Sequence, residues 1–269
     1  MLGTPIMHER HTVTIWEMFA VFAAGVGAGT INTMVGSGTL ITFPVLLATG
    51  LPPVTATVSN ALGLIPGSIS GAIGYRKELT GQRRRILRMG AATAAGALCG
   101  AVLLLALPAD AFETIVPVLV GLALVLVVLQ PRITRAVQRR RERNGSDAAP
   151  DPDGGPLLIT GLLLASVYGG YFTAAQGIIY VALMGMLLND TLQRLNATKN
   201  VLAAIVNSVA AVFFLFAAEF DWTAVALIAA GSTLGGQLGA KIGRRLPPTA
   251  LRALIVAVGT VAIVQLVLR

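Results

Sequence analysis

The sequence predicts an all-α, polytopic integral membrane protein made of two homologous halves. Composition, span length and a duplicated motif predict it. The chain has 269 residues, 55% hydrophobic and only 12% charged, with a mean hydropathy of +0.78. Soluble domains carry roughly 25% charged residues, so a soluble protein this apolar could not cover its surface. A membrane-spanning helix needs about 20 mostly apolar residues. Stretches at roughly 54–75, 86–107, 113–130, 195–218, 222–243 and 250–268 qualify as spans.

Two further apolar stretches, ~14–50 and ~156–188, are too long for one span, and each is interrupted near its middle. Each is expected to form a broken helix, a re-entrant hairpin or two short helices, giving eight to ten transmembrane segments in all. The interruptions are copies of one pattern. The first reads GTINTMVGSGTLITFP, Gly29 to Pro44, and leads into Val58-Ser59-Asn60. The second reads GGYFTAAQGIIYVALMG, Gly169 to Gly185, and leads into Thr198-Lys199-Asn200. A shift of 140 residues carries Gly29 onto Gly169 and Asn60 onto Asn200. Helix breaks at corresponding places in two halves point to a transporter binding site. Backbone that leaves the helix inside a membrane has unpaired N–H and C=O groups, which survive only in protein or beside a wet cavity.

The domain reading follows: residues 1–130 as the first repeat, 131–155 as a flexible cytoplasmic linker, and 156–269 as the second repeat. The connector PRITRAVQRRRERNGSDAAPDPDGG begins basic and ends rich in Asp, Pro and Gly, a composition that buries little apolar surface. The start of the chain faintly resembles a signal peptide. It reads better as the first span, because the duplicated motif begins inside the same apolar run.

Net charge is +8, from 20 Lys and Arg against 12 Asp and Glu. The basic residues sit in short loops between spans, so they report topology and not a nucleic-acid face. In the first half the basic loop Arg76–Arg88 precedes the acidic one at Asp110 and Glu113. In the second half the acidic loop, Glu219 and Asp221, comes first and Lys241, Arg244 and Arg245 follow. Basic loops stay in the cytoplasm. Equivalent loops therefore fall on opposite sides, as inverted repeats require, and both termini would lie outside. Small residues every fourth position, at Gly231, Gly235, Gly239 and Gly243 and at Gly96 and Gly100, predict close helix packing.

The candidate site gathers around the two breaks. Gly36, Ser37, Gly38 and Thr39 can present free backbone N–H groups at the start of a short helix, which attracts anions. Asn32 lies close by. Gln176 and Gly177 occupy the matching place in the second half, with AAQG where the first half has VGSG. Lys199 is the one charge well inside a predicted span, either a site cation or a side chain snorkelling to the surface. Asn196 and Asn200 flank it, and Ser59 and Asn60 fill the equivalent segment of the first half. No carboxylate or histidine falls at membrane depth, and Cys99 is the single cysteine. Proton-coupled carriage, metal binding and intramembrane catalysis therefore lack their usual groups. No enzyme activity, cofactor or metal is expected; the partners are a small anion and membrane lipid.

At these residues the chain resembles the TauE/SafE family, the sulfite exporter-like or toluene sulfonate uptake permease group. The resemblance rests on Gly29 through Pro44 with Val58-Ser59-Asn60, and on Gly169 through Gly185 with Thr198-Lys199-Asn200. The second copy has no proline matching Pro44. The resemblance implies a multi-pass transporter of the bacterial inner membrane, with sulfite, sulfonates or related sulfur-containing anions as cargo. The residues themselves reach as far as a small anion, moved outward by alternating access. A membrane scaffold or assembly protein without cargo is the competing reading, since small-residue packing alone would serve it.

Overall fold

The computed structural model describes residues 14–144, 154–242 and 248–267. Ten helices occur among them, five in each half. The first half holds α1 (Ile15–Met34), α2 (Thr39–Ala48), α3 (Pro53–Gly74), α4 (Arg83–Ala106) and α5 (Ala109–Asn144). The second holds α6 (Gly155–Tyr171), α7 (Gln176–Leu187), α8 (Leu192–Phe214), α9 (Trp222–Ile242) and α10 (Pro248–Val267). Five of these, α1, α4, α5, α8 and α9, are long and apolar enough to cross a membrane. The exposed Ile, Leu, Val and Phe side chains on the outside of the bundle suit a lipid surround.

Both over-long apolar stretches are paired helices. The first breaks between α1 and α2 at residues 35–38, the second between α6 and α7 at 172–175. The chemistry of the breaks differs. Gly36 takes the left-handed conformation at φ +89°, which costs glycine nothing. In the second break Thr173 and Ala175 take it at φ 69° and 56°, a strained state for residues with a Cβ. Thr14 and Glu17 form a capping box at the start of α1, which accounts for a carboxylate at the edge of that span.

The two halves interlock. α1 packs along α9, and α6 packs along α4. Glycines make these seams close: a Cβ on Gly231 would fall 2.5 Å from the Phe22 carbonyl, and one on Gly239 would fall 2.7 Å from that of Thr30. Gly96 and Gly100 meet the Leu163 and Val167 carbonyls of α6 in the same way. Gly243 of the predicted stripe lies outside the described residues. The other pairings also match between halves: α2 touches α10 as α7 touches α5, and α3 and α8 face each other at the centre. These two run antiparallel, for Ser59, early in α3, contacts Asp221 beyond the end of α8. At the other end, Gln82 beyond α3 contacts Thr198, early in α8.

One expectation is corrected. Residues 131–144 are not flexible linker but the continuation of α5. Their Arg, Gln, Glu and Ala are strong helix formers, and a helix already nucleated extends readily. Val137 anchors the extension, buried against Gly185 of α7. The Asp- and Pro-rich remainder, 145–153, lies outside the described residues.

Candidate functional site

The two breaks cross each other. The Gly177 N–H donates to the Gly36 carbonyl at 3.2 Å. A Cβ on Gly36 would sit 2.5 Å from the Gly177 Cα, and one on Gly177 would sit 2.6 Å from the Gly36 Cα. Only glycine at both positions lets the main chains touch. Gly38 acts elsewhere, letting the start of α2 lie against Ala28 and Asn32 of α1. Gly36 and Gly177 therefore bring the two main chains together at the crossing.

Lys199 reaches this crossing from α8. Its side chain is completely buried, so it does not snorkel. Its Nζ donates to the Asn32 and Thr33 carbonyls at 2.8 and 3.0 Å. Asn200 Nδ2 donates to the same Thr33 carbonyl at 3.4 Å. These carbonyls belong to the last turn of α1, where backbone oxygens lack helical partners and the helix dipole favours a cation. An ammonium has three donors, and two are engaged here. The Lys199 Cδ would lie 3.0 Å from a Cβ on Gly177, so the stem runs directly past the crossing.

Asn32 also turns its Nδ2 to Ser68 Oγ at 3.2 Å, and Asn207 Nδ2 reaches the same hydroxyl at 3.4 Å. Ser68 thus ties α1, α3 and α8 together. Ser68 carries weight that sequence spacing alone did not assign. In the first half, Asn60 accepts from Thr42 Oγ1 and donates from Nδ2 to Thr39 Oγ1 at 3.1 Å. It holds the first turn of α2 against α3.

Ser37 Oγ and Gln176 Oε1 are buried and have no hydrogen-bond partner among the described residues. Each stands next in sequence to one of the touching glycines, at the N-terminal end of α2 or α7. Two predicted residues stay apart. Ser59 Oγ accepts from the Asp221 N–H at 3.0 Å, fastening the start of α9. Asn196 is half-buried one turn before Asn200, and no hydrogen bond among the described residues ties it to the crossing.

Two further clusters join the halves. Phe172 of the second break packs edge-on against Phe43 at 5.3 Å and against Phe112 at 6.3 Å. The second cluster is polar. Asp190, in the α7–α8 turn, pairs with Arg85 of α4 and with Arg194 at 2.8 Å. Gln82 accepts from Arg85 and from Thr198 Oγ1, the latter at 3.1 Å. Nothing in the sequence spacing joins Asp190 to Arg85, which lie 105 residues apart.

Comparison with known proteins agrees with this architecture. Residues 21–266 match the family model described as Sulfite exporter TauE/SafE. The chain is 26% identical over 242 residues to the probable membrane transporter protein YfcA of Escherichia coli (strain K12), covering 90% of this chain and 86% of that one. It is 26% identical over 239 residues to a probable membrane transporter protein of Haemophilus influenzae, covering 88% and 89%. A probable membrane transporter protein ORF9 of Sinorhizobium sp is 26% identical over 250 residues, covering 91% and 90%. No solved structure matches the chain. With ten helices in two interlocked halves and a family match that spans nearly all of them, the chain belongs to the TauE/SafE family of multi-pass membrane transporters.

Proposed function

We propose that the protein exports a small anion, of the sulfite or sulfonate kind, by alternating access at the crossing of its two broken helices. One observation carries this reading: a buried lysine and the N-terminal ends of two short helices converge where Gly36 meets Gly177. The first amides of a helix have no partner within it and favour a negative guest. A protonated Lys199 would add a positive charge, with one donor not engaged among the described residues. Ser37 Oγ and Gln176 lie beside the same amides. Of the predicted shell, Asn32 and Asn200 hold the lysine and the end of α1, Thr39 and Asn60 fix the start of α2, and Gly38 seats α2 on α1.

We read this conformation as the occluded one. The aromatic contacts of Phe43, Phe112 and Phe172 cover the crossing toward the acidic-loop side, which the basic-loop rule makes the outside. The Arg85–Asp190–Arg194 cluster covers it toward the cytoplasm. The antiparallel run of α3 against α8 and the matched pairings of the halves support inverted repeats, the arrangement that gives a carrier two equivalent open states. On this topology the basic end of α5 and residues 131–155 are cytoplasmic, in the inner membrane of a bacterium. A potential negative inside is worth about 2.3 kcal/mol per charge per 100 mV. An uncoupled anion carrier therefore works outward.

Thermal melting of the purified protein against sulfite, sulfate, sulfonates, carboxylates and halides tests the site. A ligand at 100 times its Kd stabilises by about 2.7 kcal/mol. A sulfur oxyanion is expected to raise the midpoint of the wild type, and Lys199→Ala is expected to lose both the shift and saturable flux in proteoliposomes. Retained anion flux in Lys199→Ala would remove Lys199 from the site. Reversal of flux by a proton gradient at zero potential would overturn uncoupled export.

A further inference from the structure

We propose that the groove between α3 and α8 binds an anionic phospholipid, with one acyl chain in the groove and the phosphate on Arg76. The groove has a volume of about 470 Å³. Ile69, Ile73, Val201, Ile205 and Val209 make its walls, Ala204 leaves its floor low, and Arg76 stands at one end. Ile69 and Ile73 are exposed on the outer surface of the bundle, so the groove opens to the hydrocarbon side. From Ile69 to Arg76 the helical rise covers roughly 10 Å. That depth places the apolar walls within the acyl region and the guanidinium at the headgroup level.

Charge complementarity selects the occupant. Arg76 is exposed and takes no ion-pair partner among the described residues. It begins the basic loop that continues with Lys77, Arg83 and Arg84, the loop assigned to the cytoplasmic leaflet, where anionic lipids concentrate. An apolar trough ending in an unpaired guanidinium matches a molecule with a hydrocarbon chain and a phosphate, and arginine suits phosphate geometry. A second copy of this chain would have to bring its own carboxylate to Arg76. The only acidic side chain near it in sequence is Glu78, on the same loop, already partnered. The same two helices are joined by the hydrogen bond from Asn207 Nδ2 to Ser68 Oγ at 3.4 Å. A bound lipid would brace the two helices that carry Asn60 and Lys199.

Native mass spectrometry of the full chain, titrated with dioleoyl phosphatidylglycerol and with dioleoyl phosphatidylcholine, tests this. The wild type is expected to retain phosphatidylglycerol preferentially. Arg76→Gln should lower that preference about fivefold, the worth of one basic residue near an anionic leaflet. Ala204→Phe should fill the trough and abolish retention of both lipids. Equal retention of the two lipids by the wild type would overturn the proposal, and so would an undiminished preference in Arg76→Gln. A dimer that Ala204→Phe dissolves, without any lipid preference, would assign the face to a second copy instead. If Ala204→Phe fails to fold, Arg76→Gln, at an exposed position, still decides.

Discussion

Gly177→Ala is the substitution that most directly tests whether the helix crossing opens during transport. Gly177 does not sit at positive φ, so alanine adopts its backbone without strain and the change is purely one of space. The new methyl would lie 2.6 Å from the Gly36 Cα, 3.0 Å from the Lys199 Cδ and 3.1 Å from the Gly36 carbonyl oxygen. Carbon atoms rest at about 3.5–4.0 Å, so the contact with Gly36 is too short by about 1 Å. Both near neighbours in the main chain belong to the other half's break and cannot rotate away. Forcing an extra methyl into packed backbone costs about 1–3 kcal/mol.

That cost falls on the closed form alone, because a carrier whose halves have parted no longer presses Gly177 against Gly36. The equilibrium should move toward the open forms by about 5- to 150-fold. Ser37, buried beside the crossing, supplies the reporter position. In a Cys99→Ser background, which removes the single exposed native thiol, Ser37→Cys should react slowly with a water-soluble maleimide. Adding Gly177→Ala should raise that rate at least fivefold and lower the melting midpoint. A lowered midpoint with an unchanged labelling rate would refute the reasoning. The glycine contact would then be static packing, and the moving seam would lie elsewhere.

Two further outcomes bear on the Asp190 cluster and on α5. Asp190→Asn should cost about 1–3 kcal/mol, between the values for exposed and buried ion pairs, because Arg85 and Arg194 lose their shared carboxylate; urea or thermal unfolding in detergent measures it, and a change below a few tenths would mean the two arginines find other partners. Hydrogen exchange should show slow amides in α5 well past Pro131 and around Val137; rapid exchange from residue 132 onward would restore the linker reading.

The breaks were legible because they violate a local rule. A run of apolar residues too long for one span, with glycine and polar residues in its middle, cannot be continuous helix facing lipid. The pairing of halves was legible for the same reason, twice over. Contacts that join distant segments were not. Lys199 and Asn32 are 167 residues apart, and nothing in the spacing of either says that a lysine on α8 will end α1. Ser59 and Asn60 are adjacent and both polar, yet on the helix they point different ways. Asn60 faces α2, while Ser59 faces the start of α9. The extension of α5 was hidden by its own composition. Arginine-rich sequence reads as solvated loop until Val137 within it is seen against Gly185.

The arrangement of helix ends leaves the sign of the site to one residue. Four ends converge at the crossing: the C-termini of α1 and α6 and the N-termini of α2 and α7. Each carries roughly half an elementary charge, negative at a C-terminus and positive at an N-terminus. In a symmetric pair of breaks these cancel, so two broken helices alone would make a polar place with no preference for either sign. The helices that follow the breaks differ in charge at one matching position. The residue equivalent to Lys199 in the first half is Ser59, which is occupied with Asp221. Lys199 sits against the negative end of α1 and more than neutralises it, which leaves the positive ends of α2 and α7 uncompensated. With Lys199 protonated, the net field would be that of about one positive charge, suited to a monoanion or to one oxyanion group of a larger solute. On the proposed reading, the duplication builds the opening, and the asymmetry between Ser59 and Lys199 sets its preference for anions.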